Sequence, residues 1–256
     1  MTNEEILFTA MEQSAIDCNC AQEDFQAKEN VVVPFRLCEK TRKYISEPTS
    51  GMLVSYGSNI VASVTDGGRD AVSEYIRTHD FYHCFETPCI YWLNDRLGKS
   101  GQKVCFMAEY YLPAVEKLSR RCCDYELRIL GQRDFEPLYL PEWSNAMCAS
   151  RKQLDVLGIG AYDGGKLIGL AGCSADCENM WQIGVDVLPE YRRMGLASAL
   201  TENLALEILE RGKVPFYCSA WSNIRSVRNA VKSGFIPTWV EISLKPVSVT
   251  SEAAES

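Results

Sequence analysis

The stretch Val185-Asp186-Val187-Leu188-Pro189-Glu190-Tyr191-Arg192-Arg193-Met194-Gly195-Leu196-Ala197 constrains this chain more than any other. A strand-like apolar run ends at a proline, which supplies no N–H donor and cannot continue a sheet. A short cationic bend with one glycine follows, then Leu196, Leu200, Leu204 and Ile208 at helical spacing. A strand that turns directly into a helix gathers free backbone N–H groups and the positive end of a helix dipole at one point. Such a point binds phosphate. Gly195 lets the backbone approach a ligand without a Cβ between them, and Ala197 keeps the first helical turn small. Arg192 and Arg193 set positive charge beside it. On physics alone the stretch is either an anion-binding turn or an ordinary strand–helix connection with two solvated arginines. It lacks the glycine run and Lys-Ser/Thr ending of a P-loop, and a dinucleotide fingerprint needs two further glycines.

The rest of the second half alternates strand and helix signals. Strands are predicted at 125–130, 156–162, 167–173, 181–188, 215–220 and 235–244, with a hairpin about Asp163-Gly164-Gly165. Helices are predicted at about 195–211 and 224–232, and helical pieces over 134–149 are interrupted by Pro137 and Pro141. In the first half a helix is expected over 3–28, strands at 52–56 and 59–64 around Gly57-Ser58, and helices at 69–79 and from Thr87 to about Gly98. A strand at 103–112 stops at Pro113. The polar, basic stretch 116–124 separates the halves. Domains of 1–123 and 124–247 are therefore expected, with a disordered tail at 248–256.

Composition narrows the function class. The chain has 256 residues, 46% hydrophobic and 23% charged, as in ordinary globular proteins. No apolar run approaches the roughly 20 residues that cross a bilayer. The N-terminus lacks the basic start and apolar stretch of a secretory signal, so a cytoplasmic location is the expectation. A net charge of −8 argues against a nucleic-acid partner and is compatible with a cationic acceptor or with solubility alone. The twelve cysteines form no pair of CxxC knuckles, and the two histidines are His79 and His83. His83, Cys84 and Cys89 lack a fourth ligand, so no metal is expected and the cysteines read as reduced thiols.

The pattern V-x-P-x-x-R-x-x-G-x-A resembles the acetyl-CoA signature of the GNAT superfamily, whose core is R/Q-x-x-G-x-G/A. Arg192, Gly195 and Ala197 occupy those positions, with Val187 and Pro189 ahead of them. Downstream, Asn223, Ser226, Ala230 and Gly234-Phe235 are similar to the family's N-x-x-A/S…GF segment. Asn223 also reads independently as a helix N-cap. The resemblance covers the second half only. For that half it implies a mixed, mostly antiparallel sheet flanked by helices; with the strand and helix signals of the first half, the whole chain is expected to be α/β (α+β), an α/β N-terminal domain preceding the GNAT-like one. The resemblance further implies acetyl-CoA as co-substrate. The backbone of Arg192, Arg193, Met194, Gly195, Leu196, Ala197 and Ser198 would hold the pyrophosphate. The strand Val185, Asp186 and Val187 would pair with the pantetheine arm, and Asn223 and Ser226 would lie along the far side.

The implied reaction is direct attack of a neutral amine on the acetyl carbonyl, which needs an oxyanion donor and a proton for the leaving thiolate. Many members carry a Tyr where this chain has Ala230, and a Glu early in the motif strand where it has Trp181 and Gln182. Tyr217 is either core packing or a donor; Asp176, Glu178 and Asp186 are candidate bases; water is another. The catalytic side chains stay unassigned. The leading expectation is an N-acetyltransferase acting on a small-molecule or peptide amine. The alternative is a non-catalytic CoA-binding sensor or subunit. A tandem aminoacyl-type transferase would want a basic RNA-facing surface. Residues 1–123 lack the cofactor turn and are either a degenerate GNAT-like counterpart or an added α/β domain. Phe81, Tyr82, Phe85, Tyr91 and Trp92 there line an acceptor pocket or form core. Acceptor identity and oligomeric state are not encoded in any of these patterns.

Overall fold

A computed structural model describes residues 1–46 and 48–248. The chain divides into two compact units. Unit 1 comprises Met1–Ala10 and Tyr111–Pro237; unit 2 comprises Met11–Tyr110 and the chain from Thr238 on. The stretch 116–124 thus lies inside unit 1. The expected tail, 248–256, falls outside the described residues apart from Ser248. Among the described residues no helix is long and apolar enough to cross a membrane.

In unit 1, β5 (Glu126–Gly131), β6 (Asp155–Asp163), β7 (Lys166–Ser174), β8 (Met180–Val187) and β9 (Val214–Ser219) are neighbours in the order β9-β8-β7-β6-β5. All these pairs are antiparallel except β8–β9. Gly164 and Gly165 both adopt positive φ (54° and 88°), the conformation a two-residue hairpin turn needs. Helix α4 (Leu196–Glu210) buries Leu196, Leu200, Leu204 and Ile208 with Leu157, Ile159 and Ile183 of the strands. A Cβ on Gly169 would stand 2.9 Å from Leu200, so helix and sheet meet there without room for a side chain. Helix α5 (Ile224–Lys232) is capped by Asn223, whose side chain accepts the Ser226 N–H at 3.2 Å. The helical pieces expected over 134–149 are short 3-10 turns, including Gln132–Asp134, Glu136–Leu138 and Pro141–Trp143, because the two prolines forbid a longer ladder.

The basic stretch 116–124 clasps α4. Glu202, fully buried, accepts the Ser119 N–H at 2.6 Å and the Arg121 Nε–H at 2.7 Å. Arg120 reaches Glu207 and Glu210 on the same helix.

Unit 2 holds β1 (Val31–Pro34), β2 (Gly51–Ser55), β3 (Val61–Val64), most of β4 (Gln102–Pro113) and most of β10 (Phe235–Pro246), in the order β1-β3-β2-β10-β4. Helix α1 (Asn3–Cys18) ends short of the expected 28 because Asn19 turns left-handed (φ 55°). Helices α2 (Asp66–Thr78) and α3 (Thr87–Leu97) cover a core of Leu53, Ile60, Val72, Tyr75 and Leu93. Phe81, Phe85 and Trp92 pack against that core, whereas Tyr82 and Tyr91 are exposed. The parallel pair β1–β3 stays in register from Val31↔Val61 to Pro34↔Val64 and opens no slot.

Among the described residues, three charged side chains lie buried in unit 2. Asp17 of α1 and Arg42 stand 3.1 Å apart with no exposure, and Glu241 of β10 is also buried. Gln13 donates to Asp17 at 2.9 Å, and Arg42 sits over the Trp239 ring, which stacks on Tyr56. Arg42 is paired with Asp17 and acts on Glu241 through its charge. Burial pushes Glu241 up to about 7, with Arg42 pulling the other way. Asp17 moves up for the same reason. A carboxyl raised on folding holds its proton longer than in the unfolded chain, so its stability contribution is full below about pH 4.5 and is lost as pH rises through 7. We expect wild type to lose about 2–3 kcal/mol relative to Glu241→Gln between pH 5 and pH 8. Denaturant unfolding at both pH values measures this; parallel stabilities for the two proteins contradict it.

Candidate active site at the strand–helix turn

Strands β8 and β9 pair over three positions, Met180↔Val214, Trp181↔Pro215 and Gln182↔Phe216, and then part. On its other edge β8 stays bonded to β7 through Val187. Residues 183–187 therefore carry strand pairing on one edge and face a gap toward β9 on the other. An extended, amide-bearing chain can lie along such an edge as an added strand.

The gap leads to the turn before α4. Arg193 (φ 67°) and Gly195 (φ 83°) both adopt left-handed backbone, which folds the chain sharply around Met194. Left-handed φ is uncommon for a residue with a Cβ, so Arg193 holds local strain at this turn. The first bond spanning the turn runs from the Ala199 N–H to the Gly195 carbonyl at 3.1 Å. The N–H groups of Leu196, Ala197 and Ser198 precede it, at the positive end of the dipole. No acidic residue stands in the first turn of α4, where a carboxylate would compete for those donors.

The residues expected at the site divide by what their side chains do. Arg192, Arg193 and Met194 are exposed. The Arg192 Nε–H donates to the Val187 carbonyl at 2.9 Å, tying the bend to the end of β8. Leu196 anchors the helix in the core. Ser198 is buried and its hydroxyl donates to Asn229 Oδ1 at 3.2 Å, so only its backbone is available to a ligand. Val185 and Val187 face the core beneath α4. Asp186, on alternate pleat, accepts bonds from Asn145 and Ala146. Asn223 is the α5 cap. Ser226 bonds Tyr217. Asp176 is buried and paired with Arg151, and Glu178 is exposed at the far end of β8 from the gap.

The sequence reading did not name Lys232, and it left Tyr217 as either core packing or a donor with no partner; the structure gives each a contact. Lys232, at the end of α5, brings its Nζ to 3.9 Å from where a Gly195 Cβ would be, adding a third cation at the turn. Tyr217, one residue past the last β8–β9 pair, is buried and exchanges a 2.8 Å hydroxyl bond with Ser226 in the first turn of α5. Burial raises the Tyr217 hydroxyl above the usual tyrosine range, the Ser226 bond opposing it. Ala230 lies four residues beyond Ser226 on the same helix face and is fully buried. Nothing in local periodicity reveals either feature, since each joins separate elements. Among the described residues no group of three His, Cys, Asp or Glu is placed to hold a metal, and the twelve cysteines are free thiols.

The site thus joins a helix end with free N–H donors and no acid in its first turn, a strand edge that has left its neighbour and a buried hydroxyl. Residues 115–238 match the family model described as GNAT acetyltransferase. No curated protein matches the sequence. Among solved structures, a GCN5-related N-acetyltransferase-like protein from Streptococcus suis is similar at 21% identity, covering 57% of this chain and 62% of that one, with a TM-score of 0.44. A GCN5-related N-acetyltransferase from Kribbella flavida is similar at 14% identity over 75% of this chain and 82% of that one, TM-score 0.46. An aminoglycoside N-acetyltransferase in complex with CoA is similar at 20% identity over 47% and 93%, TM-score 0.36. This chain therefore spans under two thirds of the Streptococcus suis protein.

Proposed function

The C-terminal half of this chain belongs to the GNAT superfamily, and from that premise we propose that the protein transfers an acetyl group from acetyl-CoA directly to the amine of a small molecule or peptide. The observation that carries the reading is the parting of β8 from β9 after Gln182–Phe216, beside a helix end free of acid in its first turn.

The backbone of residues 192–198, with Arg192, Arg193 and Lys232 around it, holds the pyrophosphate. These groups suit a polyanion: helix N–H donors, three cations and a glycine where a Cβ would intrude. The open edge of β8 takes the pantetheine amides, and a backbone N–H there donates to the carbonyl oxygen as charge builds. The amine nitrogen bonds to the acetyl carbon, the C–S bond breaks, and the thiolate takes the Tyr217 proton. Tyr217 is recharged through Ser226, and the proton released by the amine passes to water.

The test is incubation with acetyl-CoA and a set of primary amines spanning polyamines, aminoglycosides and peptides with free N-termini. Acetylated product is read by mass spectrometry, because the chain's own twelve thiols obscure a thiol reagent. Formation of acetyl-amine with stoichiometric CoA is the expected result. Tight CoA binding with no product from any amine favours the sensor reading instead.

A further inference from the structure

Successive residues of β8 point to opposite faces. Ile183, Val185 and Val187 join the core under α4, so Gln182, Gly184 and Asp186 face the other side. On that side lies the segment 144–147. The Asp186 carboxylate accepts the Asn145 N–H at 2.8 Å, the Ala146 N–H at 3.0 Å and the Asn145 Nδ2–H at 2.6 Å. Two glycines let the segment lie flat on the strands. A Cβ on Gly184 would be 1.8 Å from the Asn145 carbonyl oxygen, and one on Gly172 would be 2.2 Å from that of Ala146. Ala146 and Met147 are buried, while Asn145 stays exposed beside the part of β8 that has left β9.

The chemistry of these contacts is directional. An ionised carboxylate only accepts, so Asp186 fixes which end of the Asn145 amide turns inward. The nitrogen is held, and Oδ1 is left as an acceptor. Gln182 is similarly committed: its Nε2–H reaches Cys218 Sγ on β9 at 3.0 Å, across the base of the gap, which leaves its amide oxygen as acceptor. The phosphate-binding turn belongs to the α4 face. A second substrate therefore enters from the face where Asn145 and Gln182 stand.

We infer that segment 144–147, pinned by Asp186, forms the acceptor side of the site, and that the Asn145 amide oxygen receives an N–H of a primary amine. This rests on the acetyl-transfer reading. Asp186, its carboxylate filled by three donors, is a positioning residue and not the base.

The full chain is tested with acetyl-CoA and the most reactive amine of the set above. Asn145→Ala removes the amide while leaving the backbone bonds to Asp186 in place. It should raise KM for the amine about tenfold, the loss of one hydrogen bond, with the Kd of acetyl-CoA as in wild type and a Tm lower by no more than about 4 °C, the share of the exposed Nδ2–Asp186 bond. Asp186→Ala should raise amine KM at least as far and speed hydrogen exchange at Asn145 and Ala146; Asp186→Asn should recover part of both losses. In wild type, amine added with CoA should slow exchange across 144–147. An amine KM within twofold of wild type in Asn145→Ala, or exchange across 144–147 unmoved by amine, overturns the inference alone. A wild-type chain that acetylates none of the amines overturns the acetyl-transfer reading and this inference with it.

Discussion

Replacing Tyr217 with phenylalanine should lower kcat about a hundredfold and leave the affinity for acetyl-CoA unchanged. General acid catalysis is worth roughly 10²–10⁴-fold, and the chain carries alanine at position 230, on the same face of α5 as Ser226. The Tyr217 hydroxyl is the buried donor past the end of the β8–β9 pairing. Its raised ionisation keeps it protonated at neutral pH, as an acid needs. The fold should tolerate the change, because the ring keeps its contacts with Tyr111 and Phe235 and what is lost is the hydroxyl's hydrogen bonding to Ser226 and Asn229, about 1 kcal/mol for each bond. Ser226→Ala should cost about tenfold in kcat, since water replaces the serine imperfectly. The pH–rate profile separates chemistry from packing: the alkaline limb expected in wild type should vanish in Tyr217→Phe. A kcat within threefold of wild type with that limb intact removes Tyr217 from the mechanism.

The second large effect is expected from Gly195→Ala. Its φ of 83° costs an L residue about 1 kcal/mol, a Tm loss of about 2–4 °C for a chain of this size. The greater effect is on binding. The new methyl group meets no protein closer than Lys232 Nζ at 3.9 Å, so it projects into the space assigned to the pyrophosphate. Acetyl-CoA affinity should fall at least tenfold. Gly212→Ala is the matched control. It has a similar φ of 71° with open space around the added methyl, but sits just past the opposite end of α4. It should lose comparable stability and no affinity. Equal affinity losses in both variants would mean that strain alone, and not occupation of the turn, explains the effect.

Local structure written into contiguous residues was legible in the sequence. The strand, proline, cationic bend and helix of 185–197 stand where the pattern puts them, because proline and glycine act locally. Helix α5 spans the expected 224–232, since Asn223 caps it from one position upstream. What joins distant segments was not legible. The Tyr217–Ser226 bond depends on where α5 packs over β9. Lys232 reaches the turn only because α4 and α5 are neighbours. Asp186 read as a candidate base; its three donors come from residues about forty positions earlier, and the glycines that admit them carry no signal of their own. The basic stretch 116–124 read as a boundary, yet its arginines answer acids on α4 more than eighty positions away. Charge partners at such separation leave no periodicity to detect.

The claim on which the account turns is that the bend before α4 and the open edge of β8 together hold a nucleotide-linked pantetheine. Calorimetric titration of acetyl-CoA into the wild-type chain tests it most directly, with Gly195→Ala and Gly212→Ala run alongside. The account predicts one site per chain, displaced by CoA, weakened in the first variant and unchanged in the second. Absence of heat at concentrations well above those of cellular acetyl-CoA, or binding indifferent to Gly195→Ala, would contradict it.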